Sequence, residues 1–511
     1  TAQFYGAATT AADSAITANS GATLRYDLHT GSKTLAKSVT IKGGTLYTLG
    51  DSHANTLDTI TGNLTVGAGL SGGVNVVTLD ANSNRNIRLT AASLVRVDNG
   101  VVLFRGDSLG GDTIANQAAN TGNIEFTTAP TGLVGGGGAA GTTNISIIPW
   151  AIGGATTSDN GSTFVTYDAN GIRPLNTSTE FVSTISDGTV STNNVRLATG
   201  TTTTVNSNTT VNSLFVNGGS TATTVDGSGK LTVTSGAVFL VANAKTTISV
   251  DLDFGTAQGI IGFTNGKVSE INGAISGSGG VVFYGNTAGT PGGGGLDLKG
   301  DASTSTYTGD TIVHGRVSMW SGGILPNAGA GRSGNLYVYG VLQHRASGTM
   351  NGLYGSGNLY NPGSAAVTYT IGDGNANGDF SGAITQFGVV SVTKIGTGTQ
   401  ILSGDSTYTG ATTINGGKLQ VDGSLSASSA VTVNSDGTLG GSGTVGAVTV
   451  NDGGHLAPGS SPGTLNTGTL VLNAASVLDF ELGSLTGAND KVAVDGDLTL
   501  DGILNVTALT G

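Results

Sequence analysis

Ala430-Val431-Thr432-Val433-Asn434-Ser435-Asp436-Gly437-Thr438-Leu439-Gly440-Gly441-Ser442-Gly443 is followed by Ala447-Val448-Thr449-Val450-Asn451-Asp452-Gly453-Gly454-His455-Leu456-Ala457-Pro458-Gly459-Ser460. Each copy sets a threonine between two valines, then an asparagine, a corner of small residues and a leucine. Strict alternation puts both valines on one face of a strand and the threonine on the other. The copies lie about 17 residues apart. That is too short for a helical repeat or a propeller blade, and it fits one coil of a β-solenoid.

The same unit recurs on both sides. Thr412-Thr413-Ile414-Asn415-Gly416-Gly417 precedes it, and Thr469-Leu470-Val471-Leu472-Asn473 and Asp497-Leu498-Thr499-Leu500-Asp501 follow. Asn415, Asn434, Asn451, Asn473 and Asp501 therefore fall at one equivalent position. Amides stacked at a coil corner can hydrogen-bond to one another along the stacking direction, so these residues are expected to form a structural ladder rather than a binding site.

Of 511 residues, 88 are Gly, none is Cys and 10% are charged. Globular chains carry about 25% charged residues, so Thr, Ser, Asn and Gly must cover this surface. A solenoid suits such a composition, because each coil contacts only its neighbours and the core stays narrow at any length. The net charge of −12 argues against nucleic acid or an anionic membrane as partner. Lack of cysteine excludes disulfides and thiolate metal sites. No apolar run reaches the 18 residues of a spanning helix.

Looser copies run through residues 1–104: Val39-Thr40-Ile41, Leu64-Thr65-Val66-Gly67-Ala68-Gly69-Leu70 and Ile87-Arg88-Leu89. Between residues 105 and 204 the pattern breaks, with four glycines at 135–138 and Ile147-Ile148-Pro149-Trp150. Proline disfavours a central strand there. The expectation is an irregular insertion on the solenoid flank, with the glycines as a flexible loop and Trp150 as a buried anchor. Regular coils return from about Val205, at Leu214-Phe215-Val216, Leu231-Thr232-Val233 and Ile248-Ser249-Val250. After Pro291 the glycines 292–295 read as a second loop. Ser305-Thr306-Tyr307-Thr308-Gly309 reappears as Ser406-Thr407-Tyr408-Thr409-Gly410. Residues 205–511 are expected to be continuous solenoid.

Residues 396–419, from Gly396-Thr397-Gly398 through Ser406-Thr407-Tyr408-Thr409-Gly410 to Asn415-Gly416-Gly417-Lys418-Leu419, resemble the autotransporter-associated β-strand repeat. Leu456-Ala457-Pro458-Gly459-Ser460-Ser461-Pro462-Gly463-Thr464-Leu465 resembles a second signature of such passengers. The resemblance implies a secreted right-handed β-helix on the outer surface of a Gram-negative-type bacterium, and it carries over no catalytic residues. The segment before Gly511 lacks the aromatic-girdled strands of a translocator barrel.

Four constellations invite a chemical reading. Asp251 and Asp253 share a strand face, as the carboxylate pair of a carbohydrate-active enzyme would. However, the chain has four Glu, and His29, His53, His314, His344 and His455 are scattered. Asp373, Asn375, Asn377 and Asp379 match the first half of a calcium loop, but Ile384 stands where its closing Glu belongs. Arg105-Gly106-Asp107-Ser108 contains a receptor-type tripeptide that would need an exposed loop. Tyr337, Tyr339, Tyr354 and Tyr360, grouped with Trp320, could stack on sugars or cover a contact between molecules.

The reading as a whole is an all-β, right-handed parallel β-helix with a flanking insertion, not an enzyme, and without a cofactor unless calcium binds. Its expected role is a subunit of an extracellular fibre, ahead of a glycan-binding adhesin and then a carbohydrate-active enzyme. Neither end shows a capping segment, and residues 502–509 alternate like an open strand. Copies are therefore expected to add head to tail into filaments.

Overall fold

A computed structural model describes residues 2–4, 15–27, 32–68, 74–82, 85–113, 119–186, 190–264, 266–285, 295–299, 305–320, 334–460, 462–483 and 489–508. It contains no helix among them. Stacked parallel coils form a β-solenoid of about 19 turns. The chain divides into two compact units: residues 1–297 with 313–316, and residues 298–312 with 317–511.

The first unit opens with coils of three strands. Ile16–Asn19, Val39–Lys42, Leu64–Gly67 and Leu94–Arg96 pair in parallel, aligning Ile16, Val39, Leu64 and Leu94 in one column. Val39 and Ile41 point inward while Thr40 and Lys42 stay half-buried. Alternation decides the register, since a slip of one residue would turn every apolar side chain outward. These coils continue past Phe104, because Gly122–Phe126 pairs along Ile87–Ala91. The sequence hides that strand, as Gly122-Asn123-Ile124-Glu125-Phe126 offers little alternation. Its Gly122 and Asn123 are buried all the same.

The insertion is better ordered than its composition suggests. The Gly136 N–H donates to the Asn144 carbonyl at 2.9 Å, and Val134 bridges Ile147 antiparallel. The glycine run is thus one arm of a hairpin rather than a free loop. Ala151–Gly154 extends the first block's sheet in parallel with Val102–Gly106, and Thr163–Asp168 and Gly171–Pro174 continue it antiparallel. Arg173 donates to both oxygens of Glu180 at 2.8 and 2.7 Å and to Asp168 at 2.7 Å. Burial pushes the Glu180 carboxyl up, but Arg173 and the amides of Gly141 and Asn176 outweigh it and hold its pKa below the usual value. Trp150 is half-buried, with the Arg96 guanidinium 5.6 Å from its ring centre.

Regular coils resume at Asn194–Leu197, ahead of Val205. From there Val195, Leu214, Val238, Ile261 and Phe283 make one inward column. The outward column beside it reads Arg196, Phe215, Phe239, Gly262, Tyr284. Phe215 packs on Phe239 at 5.4 Å, and Phe239 on Tyr284 at 6.2 Å. Gly262 lies between those last two rings, and a Cβ there would overlap both. Phe164 of the insertion meets Phe215 edge-on at 6.0 Å, so the outer face of this sheet is covered too. Of the second glycine run, residues 292–294 lie outside the described residues, as do Pro291, Gly69 and Leu70.

In the second unit Thr412–Ile414, Val431–Val433, Val448–Val450, Leu470–Leu472 and Leu498–Thr499 stack in parallel. Val433, Val450 and Leu472 form one buried column, with Thr432, Thr449 and Val471 facing outward beside it. The second strand of each coil follows a corner at Gly417, Asp436 or Gly453, all in the left-handed region (φ +62, +67 and +76). Such a conformation favours glycine, which explains the small residues after each corner asparagine.

Candidate functional site

The corner asparagines meet directly. Asn434 Nδ2 donates to Asn415 Oδ1 at 2.7 Å, Asn451 to Asn434 at 2.7 Å, and Asn473 to Asn451 at 3.0 Å, in steps of 19, 17 and 22 residues. Asp501, having no amide to donate, instead accepts from the Gly502 N–H at 2.8 Å. Asn434 is an acceptor from above and a donor below. Asn434→Ala is therefore expected to destabilise these coils by about 1–2 kcal/mol. Asn473→Ala, which removes one donated bond from the described ladder, should cost about half as much. Chemical denaturation of the two variants side by side checks this order.

The recurring Tyr307 and Tyr408 are both buried. Tyr408 Oη lies 2.7 Å from Thr412 Oγ1, which lies 2.9 Å from Ser429 Oγ, and Ser429 donates to the Gly410 carbonyl at 2.8 Å. Tyr307 makes the same contact with Thr311, at 2.6 Å. In each case the ring fills the core while its hydroxyl is satisfied inside, as a buried phenol requires. Tyr408 lies between two stacked coils in sequence, Val390–Lys394 with Thr399–Leu402 and Thr412–Ile414 with Gly417–Val421, which pair strand for strand.

The chemical constellations do not converge. Asp253 pairs with Lys230 at 2.9 Å and accepts from Ser276 and Gly255. Burial raises its pKa, and these partners more than reverse that. Asp251 accepts from the Ala274 amide at 2.8 Å. Both carboxylates brace the next coil. Asn375 and Asn377 do likewise, accepting from the amides of Thr397 and Thr399 at 2.8 Å each. Asp373 and Asp379 are exposed, and no group of three acidic or histidine ligands occurs among the described residues.

The Arg105–Asp107 tripeptide runs from a strand end into a tight turn and is tied to the neighbouring coil. Arg105 and Gly106 end the strand Val102–Gly106, Arg105 Nε donates to Thr78 Oγ1 at 3.0 Å, and Asp107 accepts from the Ala81 amide at 2.9 Å. The expected aromatic group divides between two sheets. Tyr337 stacks on Tyr354 at 4.7 Å and on Tyr339 at 6.4 Å. Trp320 lies apart, with Arg345 at 3.9 Å and Lys299 at 4.9 Å from its ring centre. Tyr360 is on the strand Asn358–Asn361, in register with Gln343 and Thr385.

Residues 392–421, which span two stacked coils and include Tyr408, match the family model of the passenger-associated-transport-repeat. Over that stretch the chain is similar to passenger-type repeats, and the fold around it is a β-solenoid. Comparison with curated proteins returns no match.

Within the matched repeat lies a residue that the sequence reading passed over. Lys394 is buried in register with Ile371 and Ile414, at a core position. Its Nζ donates to the carbonyls of Ile395 at 2.6 Å and of Gly396 and Gly416 at 3.3 Å, tying its own corner to that of the next coil. Burial pushes this ammonium down to about 8. The signal was parity: Val390 and Val392 face inward, so Lys394 must too.

The last described coil differs from those before it. Leu470 and Leu472 are 2% and 1% exposed, whereas their successors Leu498 and Leu500 are 52% and 72% exposed. Ile503–Ala508 pairs only with Val477–Leu482 among the described strands, and all six of its residues are exposed. The expected alternation is therefore absent from its burial. Alternation shows only where something packs on one face.

Proposed function

We propose that the protein is an exported structural passenger displayed outside the cell, and that its copies associate end to end. The observation that supports this is the match of residues 392–421 to the passenger-associated-transport-repeat within a stack of parallel coils. Each coil presents its neighbour with a row of backbone donors and acceptors, and such an edge is a template for a further strand. The occupant that fits is a coil of a second copy, which offers parallel β-structure at the same strand spacing. A contact between unlike ends does not close on itself, so it propagates.

The enzyme reading loses ground, because the carboxylates that could have carried it are spent on neighbouring coils. In electron micrographs and scattering at high concentration the intact chain should form linear polymers. Deleting residues 503–511 should abolish them while leaving the β-rich circular dichroism intact. A monomer under all conditions would sink the assembly reading.

A further inference from the structure

A cleft of about 500 Å3 opens in the first unit, between the insertion and the second block of coils. Pockets of this size hold small organic ligands. Two outward columns make its floor, Arg196 with Phe215 and Asn217 with Val241 and Thr264; the loop 159–162 makes its wall.

The Arg196 guanidinium lies 5.5 Å from the centre of the Phe215 ring. Its Nε is buried without a hydrogen-bond partner, and no acid pairs with it among the described residues. Burial alone lowers its pKa, yet an arginine stays charged in proteins. Keeping that Nε–H out of water without a partner is costly. By contrast, the buried Arg173 is paired with two carboxylates. The side-chain amides of Asn217 and Asn243 hydrogen-bond to no described residue, and Thr264 Oγ1 accepts from the Ala242 amide at 2.8 Å, which leaves its proton to donate. Across the cleft, Asp159 accepts from the Gly161 amide at 2.9 Å and the Ser162 hydroxyl at 3.0 Å. Its oxygens keep lone pairs free.

We infer that this cleft binds a carboxylate-bearing saccharide unit. Its carboxylate takes Arg196 as a charge-assisted partner, its hydroxyls reach Asn217, Asn243 and Asp159, and its apolar ring face lies on Val241. A small dianion such as phosphate suits the cleft poorly, because Asp159 repels it and a single cation faces it. A neutral sugar leaves Arg196 unpaired. The mixture of one cation, free amides and a carboxylate acceptor matches a monoanionic polyol. This inference is independent of end-to-end assembly.

The test is titration calorimetry of the full chain with glucuronate, galacturonate, glucose, galactose and inorganic phosphate. At least one uronate should bind, with the neutral sugars and phosphate roughly tenfold weaker or worse. Arg196→Met, which keeps an unbranched side chain over Phe215, should weaken uronate binding by about tenfold or more. Asn243→Leu should obstruct the cleft with Arg196 intact, and it decides the matter alone if Arg196→Met does not fold. Failure of both uronates to bind, equal binding of neutral sugar, preference for phosphate, or undiminished binding by the folded variants would each overturn the assignment.

Discussion

Val450→Asp is expected to destabilise the coils around residue 450 by roughly 3 kcal/mol or more, while Thr449→Asp costs under about 1 kcal/mol. The two positions are neighbours in sequence and opposites in environment. Val450 is sealed between Val433 below and Leu472 above. A carboxylate there finds apolar side chains on both sides, and it must ionise unpaired or take up a proton. Thr449 is half-buried on the outer face, where a carboxylate keeps its water. Because each coil contacts only its neighbours, damage should be local. Amide hydrogen exchange of Val431–Val433 and Leu470–Leu472 is therefore the right readout. Those strands should lose protection in Val450→Asp and keep it in Thr449→Asp. Equal loss from both would show that the assigned inward face is wrong.

The second large effect concerns Asp58. It is buried between Thr56 and Ile60 on the inward face of its strand, in register with Leu89, and neither carboxyl oxygen finds a hydrogen-bond partner. Burial pushes its pKa up to about 8, against an opposing pull from Lys33. A raised carboxyl pKa means that the folded state holds a proton which the unfolded chain has released. The contribution to stability is greatest below the ordinary value of 3.8 and falls as pH rises from there to about 8. At 1.36 kcal/mol per pH unit, the fall is about 6 kcal/mol at most. Asp58→Asn removes the ionisable group, so the first block should gain stability relative to wild type as pH rises, with little difference near pH 4. Urea unfolding followed through Trp150, which packs against that core, in a Trp320→Phe background provides the measurement. Parallel pH profiles for the two proteins would refute the protonated carboxyl.

The solenoid was legible because its signal is repetition. The Val-Thr-Val-Asn unit fixes strand, face and corner together, and the hydrogen-bonded asparagines occupy the position that its spacing indicates. The insertion was not legible, since what orders it is Arg173 reaching Glu180 and Asp168 through folding of a hairpin, and no periodicity announces that. Arg105 and Asp107 misled for a related reason. A tripeptide says nothing about exposure, and these side chains are engaged by Thr78 and Ala81 of the neighbouring coil. Lys394 and Asp58 were overlooked although strand parity places both inside. A charged residue on the inward parity of a regular strand was the available sign. The cleft at Arg196 depends on two segments far apart in sequence and had no sign at all.

The asparagine ladder also has a mechanical meaning. Its hydrogen bonds, like those of the flanking strands, point from one coil to the next. A pull along that direction loads one inter-coil seam at a time, so coils should peel away singly instead of the block yielding at once. The ladder steps of 19, 17 and 22 residues set how much chain each rupture frees, roughly 60–75 Å when extended. A protein built this way would lengthen in small increments under load and absorb work at each one.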